Sequence, residues 1–381
     1  MAFRFIHFSD THLGFSDLDL LDENEKLNIR EEDLYNSFKQ VIDYAIDSKV
    51  DFIIHSGDIF HRSSPTNRAV VFLAEQLKRL ENNNIPIYII AGNHDFPKTI
   101  YSIPIHNIFT ILTNCKIFFD EKYSVYETDL VNLHLLPHIN SEEKYIEEAS
   151  KIEILQNGKP NIFVTHVSMP NYLMDEYGER TFPIEQIEKL KLFDYVALGH
   201  WHKYKHLKNF GNVYYSGSTE RMSDKENDYD KVFLECTWDK QLSVQEHKLN
   251  IRLIKNIKIK ECYKKTKSEI IFEITENLRD CQIKEGVFNI YLSDIEQTHL
   301  YDIRREDIDD LLKDSLFYKI VKNVKDSDVI FIADKESFDL RSFLNEELRK
   351  SFQDDEEYTL VSKLTGEIID KIEEEELNED K

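Results

Sequence analysis

Five short apolar runs in this chain each end in Asp, Asn or His. Phe5-Ile6-His7-Phe8 runs into Ser9-Asp10-Thr11-His12, and Phe52-Ile53-Ile54 into His55-Ser56-Gly57-Asp58. Ile87-Tyr88-Ile89-Ile90-Ala91 is followed by Gly92-Asn93-His94-Asp95. Ile162-Phe163-Val164 leads to Thr165-His166, and Tyr195-Val196-Ala197-Leu198 to Gly199-His200-Trp201-His202. Imidazole and carboxylate bind borderline metals such as manganese, iron and zinc. The polar ends Asp10, His12, Asp58, Asn93, His94, His166, His200 and His202 are more than one ion needs. Two ions sharing a bridging carboxylate would use them. Such a pair, about 3.5–4 Å apart, clamps the attacking and leaving oxygens of an in-line phosphoryl displacement.

Short apolar runs are strands buried on both faces, and open α/β sheets keep their sites at the strand ends. Glycine is scarce, ten in the chain, yet Gly57, Gly92 and Gly199 stand beside candidate ligands. A residue without Cβ lets the strand end turn sharply. A blander reading fits single positions. A histidine inside an apolar strand is ordinarily a packed core residue, which is how His7 and His55 read. One Gly-Asp is ordinarily a turn. Neither explanation accounts for five strands ending alike.

The elements between these runs are helical. Residues 29–50 place Leu34, Phe38, Val41, Ile42, Ala45 and Ile46 on one apolar stripe. A second helix is expected from an N-cap at Thr66 through Phe72, Leu73, Leu77 and Leu80 to the stop at Asn82-Asn83-Asn84. Residues 101–112 are apolar with little charge and read as core or as a self-association surface. A polar loop spans 170–182. Residues 212–216, 232–237 and 242–249 read as strands closing the far side of a two-sheet sandwich. From 255 to 335 the pattern is a small α+β domain with no Asp/His strand ends. Two amphipathic helices follow over 338–372, then an acidic tail over 373–381.

Bulk properties narrow the class. The chain has 381 residues, 41% hydrophobic, enough for one large domain and smaller ones. No apolar stretch is long enough to span a membrane. The first strand begins almost at once, leaving no room for a signal peptide. Four scattered cysteines form no CxxC pair, which fits a reducing cytoplasm. The net charge of −24 opposes nonspecific nucleic-acid binding. Residues 339–381 hold 15 acidic and 6 basic side chains, so any phosphate-binding face must be local.

The ordered set D-x-H, G-D, G-N-H-D, an isolated H and G-H-x-H resembles the calcineurin-like metallophosphoesterases. Three longer stretches are similar to the SbcD nucleases, bacterial members of the Mre-type double-strand-break repair nucleases. They are Phe8-Ser9-Asp10-Thr11-His12-Leu13-Gly14, His55-Ser56-Gly57-Asp58-Ile59-Phe60-His61 and Tyr215-Ser216-Gly217-Ser218-Thr219-Glu220-Arg221. The resemblance implies an α/β fold, a four-layer metallophosphoesterase β-sandwich flanked by helices. It also implies a phosphoesterase domain over 1–250, a capping domain over 255–335 and a helical segment over 338–372 that grips an SMC-like, SbcC-like ABC ATPase. One ion would take Asp10, His12, Asp58 and His202, the other Asp58, Asn93, His166 and His200, most plausibly as Mn2+. Each ligating histidine should rest its second ring nitrogen on a carbonyl or carboxylate. His94 would stabilise the scissile phosphate or protonate the leaving oxygen. His61 would help place the DNA backbone. Arg62, Lys98, Lys203 and Arg221 are candidate DNA contacts, with Arg68, Lys205 and Lys225 nearby.

The implied activity is 3′-to-5′ exonuclease action on DNA ends and endonuclease action on single strands or hairpins. The implied assembly is a cytoplasmic homodimer joined to the ATPase. Two rivals stand beside it. A phosphatase or small-molecule phosphodiesterase of the same superfamily suits the low basicity. A degenerate scaffold would keep the fold without catalysis, but the ligand set is complete.

Overall fold

The apolar runs form strands because other layers cover both of their faces. A computed structural model describes residues 2–16, 28–96, 104–173, 179–227, 229–296, 302–325 and 330–334. The chain divides between Arg252 and Leu253 into two units.

In the first unit β1 (Phe3–Phe8) leads to helix α1 (Ile29–Ser48), β2 (Phe52–His55), helix α2 (Asn67–Asn82), β3 (Ile87–Ile90) and β4 (Cys115–Phe118). The four strands are parallel neighbours in that order. Asn28 caps α1 by accepting from the Arg30 and Glu31 amides, and Lys49 ends it with a left-handed φ of 52°. Thr66 caps α2 by accepting from the Ala69 amide. Next come β5 (Ser124–Glu127), β6 (Asn132–Leu136), α3 (Glu142–Ser150), β7 (Asn161–His166), β8 (Tyr195–Gly199), β9 (Lys205–His206) and β10 (Val213–Tyr215). They build a second sheet in the order β5-β6-β7-β8-β10-β9. A hairpin of β11 (Val232–Asp239) and β12 (Gln241–Lys248) completes the unit.

That hairpin departs from the sequence expectation. The strand at 213–215 extends the second sheet beside β8, but β11 pairs antiparallel with β1. The first sheet therefore runs β12-β11-β1-β2-β3-β4. Alternating apolar residues define which face of a strand is buried. They do not say which sheet edge it joins.

Strand residues alternate between two cores. Phe5, Phe52, Ile54 and Ile90 meet Leu133, Val164, Tyr195 and Ala197 between the sheets. Ile6, Phe8, Ile53 and Ile89 point outward to Leu34, Phe38, Val41, Leu73 and Leu77 of the helices. On the other outer face Phe163, Val196 and Leu198 pack with Tyr145, Ala149 and Leu190. The result is the expected four-layer sandwich. Residues 105–111 form a 3-10 helix that is core on one side only. His106 and Phe109 are buried, whereas Ile108 and Ile111 are exposed.

The second unit has its own core. Its strands are β13 (Ile254–Ile259), β14 (Val287–Ile295), β15 (Phe317–Val324) and β16 (Ile330–Asp334), paired in that order. Helix α4 (Lys267–Leu278) starts at a capping box formed by Thr266 and Glu269, and α5 (Glu306–Leu312) precedes β15. Ile257, Ile274, Phe288, Ile290, Ile308 and Tyr318 form the buried cluster. The expected helices over 338–372 and the acidic tail over 373–381 lie outside the described residues.

His7 and His55 are core residues, as their strand positions required. His7 shares hydrogen bonds with Tyr195 and Ser56, both at 2.8 Å. His55 Nε2 lies 3.2 Å from the Thr11 hydroxyl. Burial above all pushes both imidazoles down from 6.5 to about 3. The folded state therefore stays unprotonated at these sites while the unfolded chain takes up protons below pH 6.5. Stability present above that pH is lost as the pH falls toward 3, by about 1.4 kcal/mol per unit for each histidine. Urea unfolding between pH 7.5 and 4.5 should show this slope, and His55→Gln should remove its share. An unchanged slope in that variant would refute the assignment.

Candidate metal centre

The parallel strands deliver their C-terminal ends to one rim. Past β1 the chain stays locked to the turn after β2: the Asp10 amide donates to Gly57 O at 3.0 Å, and the His12 amide to Asp58 O at 3.1 Å. Four of the candidate ligands hold left-handed backbone, with φ of 51° at Asp10, 41° at His12, 56° at Asp58 and 94° at His200. Non-glycine residues rarely sit there, at a cost of order 1–3 kcal/mol each, and such positions cluster at functional sites.

The side chains converge. Ligand atoms of Asp10, His12 and His202 lie within 4.8 Å of one another, as do those of Asp58, His166 and His200. His12 Nε2 approaches His202 Nε2 to 3.2 Å and Asp58 Oδ2 to 3.9 Å. His166 Nε2 is 3.2 Å from Asp58 Oδ2 and 3.0 Å from Asn93 Oδ1. His200 Nδ1 is 3.1 Å from the same Asn93 oxygen. Asp58 thus stands between the two groups. All of these residues are buried except the half-buried Asn93. His94 and His61 stand beside them, also half-buried, with His94 Nδ1 2.8 Å from His61 O. The His94 ring meets His12 edge-on at 4.9 Å.

The family model for calcineurin-like phosphoesterase matches residues 3–204. The chain belongs to the calcineurin-like phosphoesterases. Among similar proteins is the DNA double-strand break repair protein Mre11 of Methanococcus maripaludis, 30% identical over 86% of this chain and 93% of that one. The Mre11 protein of Saccharolobus solfataricus is 35% identical over 58% of this chain and 56% of its own length. That of Thermoplasma acidophilum is 31% identical over 58% and 57%. This phosphoesterase is thus of the Mre11/SbcD type, a metal-dependent phosphodiester hydrolase.

The donor set suits the dinuclear metal site of such phosphoesterases. A carbonyl can only accept, so His166 Nδ1 donates to Ser56 O at 2.9 Å and leaves Nε2 to a metal. His202 Nδ1 is set on Glu226 at 3.0 Å, and His200 Nε2 on Glu179 at 3.3 Å. His12 departs from the expectation: its Nδ1 is buried with no hydrogen-bond partner among the described residues. Burial alone would raise the Asp58 pKa. His166, then His94 and His12, nevertheless hold its carboxyl well below the usual range. Burial dominates at Asp10 and pushes its carboxyl up against the pull of His166 and His202. Divalent ions bound here would supply the positive charge that the buried carboxylates lack.

The glycines serve the site differently than expected. Gly57, at φ 103°, does make a turn that needs glycine. Gly92 and Gly199 instead make room, and a Cβ there would stand 2.1 Å from Asp58 Oδ1 and from Ser56 O respectively.

Sequence reasoning missed the residues behind the ligands. Glu179 comes from the polar loop and also accepts from Ser168. Glu226 is paired with Lys231, which is fully buried and donates to His202 O at 3.1 Å. Ser9 bonds to Asp10 and to Ser216 at 2.8 Å. Only Ser9 and Ser216 lay inside motifs that could have flagged them.

The basic candidates divide. Arg62 and Lys203 are exposed, the latter with Nζ 4.8 Å from the Tyr229 ring centre. Lys98 lies outside the described residues. Arg221 corrects the reading of its motif. Its largely buried guanidinium donates to Glu226 O at 3.3 Å and Arg252 O at 2.8 Å, so it serves as an internal clamp.

Gly92→Ala should displace Asp58 and weaken divalent-metal binding by about 10- to 100-fold or more, the range for disturbed support of a ligand. Calorimetric titration of the metal-free protein with Mn2+ measures it, and wild-type affinity would contradict the steric argument.

Proposed function

We propose that this phosphoesterase cleaves DNA phosphodiesters with two divalent ions, most plausibly Mn2+, as the nuclease subunit of an SbcCD-like end-processing complex. The observation that carries the reading is the contrast between buried ligands and the two half-buried imidazoles, His94 and His61, at the edge of their cluster. A metal centre with accessible imidazoles at its rim is arranged to handle a phosphoester. The likeness to Mre11 proteins across nearly the whole length of one of them supports DNA as the substrate.

Asp10, His12, Asp58 and His202 would hold one ion, and Asp58, Asn93, His166 and His200 the other. Ions at such a centre supply Lewis acidity and lower the pKa of the attacking water. The remaining work falls to this chain's side chains. His94, oriented through Nδ1 by the His61 carbonyl, moves a proton at Nε2 to the leaving oxygen or steadies the phosphate. His61 positions the sugar-phosphate backbone. Exposed Arg62 and Lys203 add sequence-independent phosphate contacts, as does Lys98. The resemblance to SbcD nucleases implies 3′-to-5′ exonuclease action on ends and endonuclease action on single strands or hairpins.

Two partners belong to this reading. The apolar stripe of Leu340, Phe343, Leu344 and Leu348, and that of Leu360, Leu364, Ile368 and Ile369, fit helices that dock on the coiled-coil base of an SbcC-like ATPase. Exposed Val71, Ile108 and Ile111 support a homodimer. No described helix is long and apolar enough to cross a membrane. A cytoplasmic location suits the reduced cysteines.

The test is degradation of a linear, end-labelled duplex by the purified chain with Mn2+. Asp58→Asn should abolish it. His94→Gln should lower turnover by about 100-fold or more while both ions stay bound. An intact duplex beside a cleaved p-nitrophenyl ester, unchanged when the ATPase is added, would replace DNA with a small phosphoester as substrate. Light scattering should find two copies in solution, and one copy for the Ile108→Glu, Ile111→Glu double variant. A dimeric double variant would remove that surface from the interface.

A further inference from the structure

His106 lies outside every motif described above, yet it touches the machinery that holds the bridging ligand. The link is Asp95, the last residue of Gly92-Asn93-His94-Asp95. Its carboxylate accepts from the Gly92 amide at 2.9 Å and, across the rim, from the Ile59 and Phe60 amides at 3.3 and 3.1 Å. It thereby ties the turn that carries Asn93 and His94 to the turn that follows Asp58. The other face of this carboxylate meets His106 Nε2 at 3.4 Å. Both side chains are fully buried, and no other ring or chain nitrogen among the described ion pairs faces Asp95. Neither ring nitrogen of His106 has a hydrogen-bond partner among the described residues, so its contact with Asp95 is an ion-pair approach, and the ring packs beside Phe60. A buried carboxylate taken from water needs a donor or a positive charge on each exposed lone pair. Backbone amides supply three hydrogen bonds, and the His106 imidazole stands 3.4 Å from the carboxylate as the polar group nearest its remaining lone pair.

We propose that His106 is a positioning residue for the metal centre. Through Asp95 it fixes the spacing between the Asp58 turn and the Asn93 turn, and hence the affinity for the ion that both would hold. The inference rests on the dinuclear metal reading of the site, not on DNA as the substrate. The 3-10 helix that carries His106 also carries Ile108 and Ile111.

The experiment is Mn2+ binding to the metal-free full chain, by calorimetry and by the electron paramagnetic resonance of bound Mn2+. His106→Leu keeps the volume and removes the donor. His106→Gln keeps a donor of similar reach. Leu is expected to weaken Mn2+ binding by about 10- to 100-fold, as loss of an outer-shell partner does. Gln is expected to restore it to within a few-fold of wild type. Thermal unfolding of the metal-free proteins reports any purely structural effect. If Leu lowers the melting temperature but binds Mn2+ as wild type does, His106 is only a core residue and the proposal fails. It fails equally if Gln and Leu weaken binding alike, because the donor is then irrelevant. Should the Leu protein not fold, His106→Met takes its place with the same expectations. Loss of duplex cleavage with unchanged Mn2+ binding would not support the role. Since binding is read without substrate, a failed nuclease assay leaves the result intact.

Discussion

Two carboxylates buried almost completely, Asp10 and Asp58, impose the constraint on which this rim is built. A buried charge is tolerated only when it is paired and hydrogen-bonded. Here the pairing groups are imidazoles and backbone amides. The His94 amide donates to Asp58 Oδ1 at 2.9 Å, and the His200 amide reaches Asp10 at 2.9 and 3.1 Å. Each amide belongs to a turn that also carries a candidate ligand. Holding the carboxylates thus draws the strand ends of both sheets together, and the sandwich is the scaffold that allows it.

This arrangement costs backbone strain, borne at four candidate ligand positions where φ is positive. Such strain persists only when the surroundings over-determine it. The surroundings are specific: amide bonds from β1's exit to the turn after β2, glycines that leave no room to relax, and a core with fully buried Phe8, Ile53 and Ile89 beneath. The residues behind the candidate ligands are held as firmly. His202 leans on Glu226, which is neutralised by the buried Lys231, and a buried pair of that kind is costly to break from either side.

Much of the candidate centre is legible because residues that can hold a metal directly leave a local trace. A ligand must follow a strand end, so it appears as Asp, Asn or His after an apolar run. The fold was legible for the same reason: α1's stripe from Leu34 to Ile46 and the strand runs obey fixed periods. Supporting residues leave no such trace. Glu179 and Glu226 arrive from loops, at separations of 21 and 24 residues from the histidines they hold. Asp95 sat in a recognised string, but its partners are backbone amides, which no residue type announces. Arg221 misled because a motif reports that a residue is needed, not which way it faces. The β11–β12 hairpin was recognised as strands but assigned to the wrong part of the sandwich, since edge choice is a long-range property.

The acidity of the chain now has a physical place. A net charge of −24 repels a polyanion at long range, so attraction must be short-range. At physiological ionic strength surface charges act over about 8 Å. Both buried carboxylates are countered by histidines and would be countered further by two divalent ions, while Glu226 is countered by Lys231. Exposed Arg62 and Lys203 then add positive charge that no buried acid claims among the described ion pairs. Attraction of a phosphoester to this negative protein would have to come from the ions and these side chains. Binding of that kind would rest on a few close contacts and would depend on the metal for affinity as well as for chemistry.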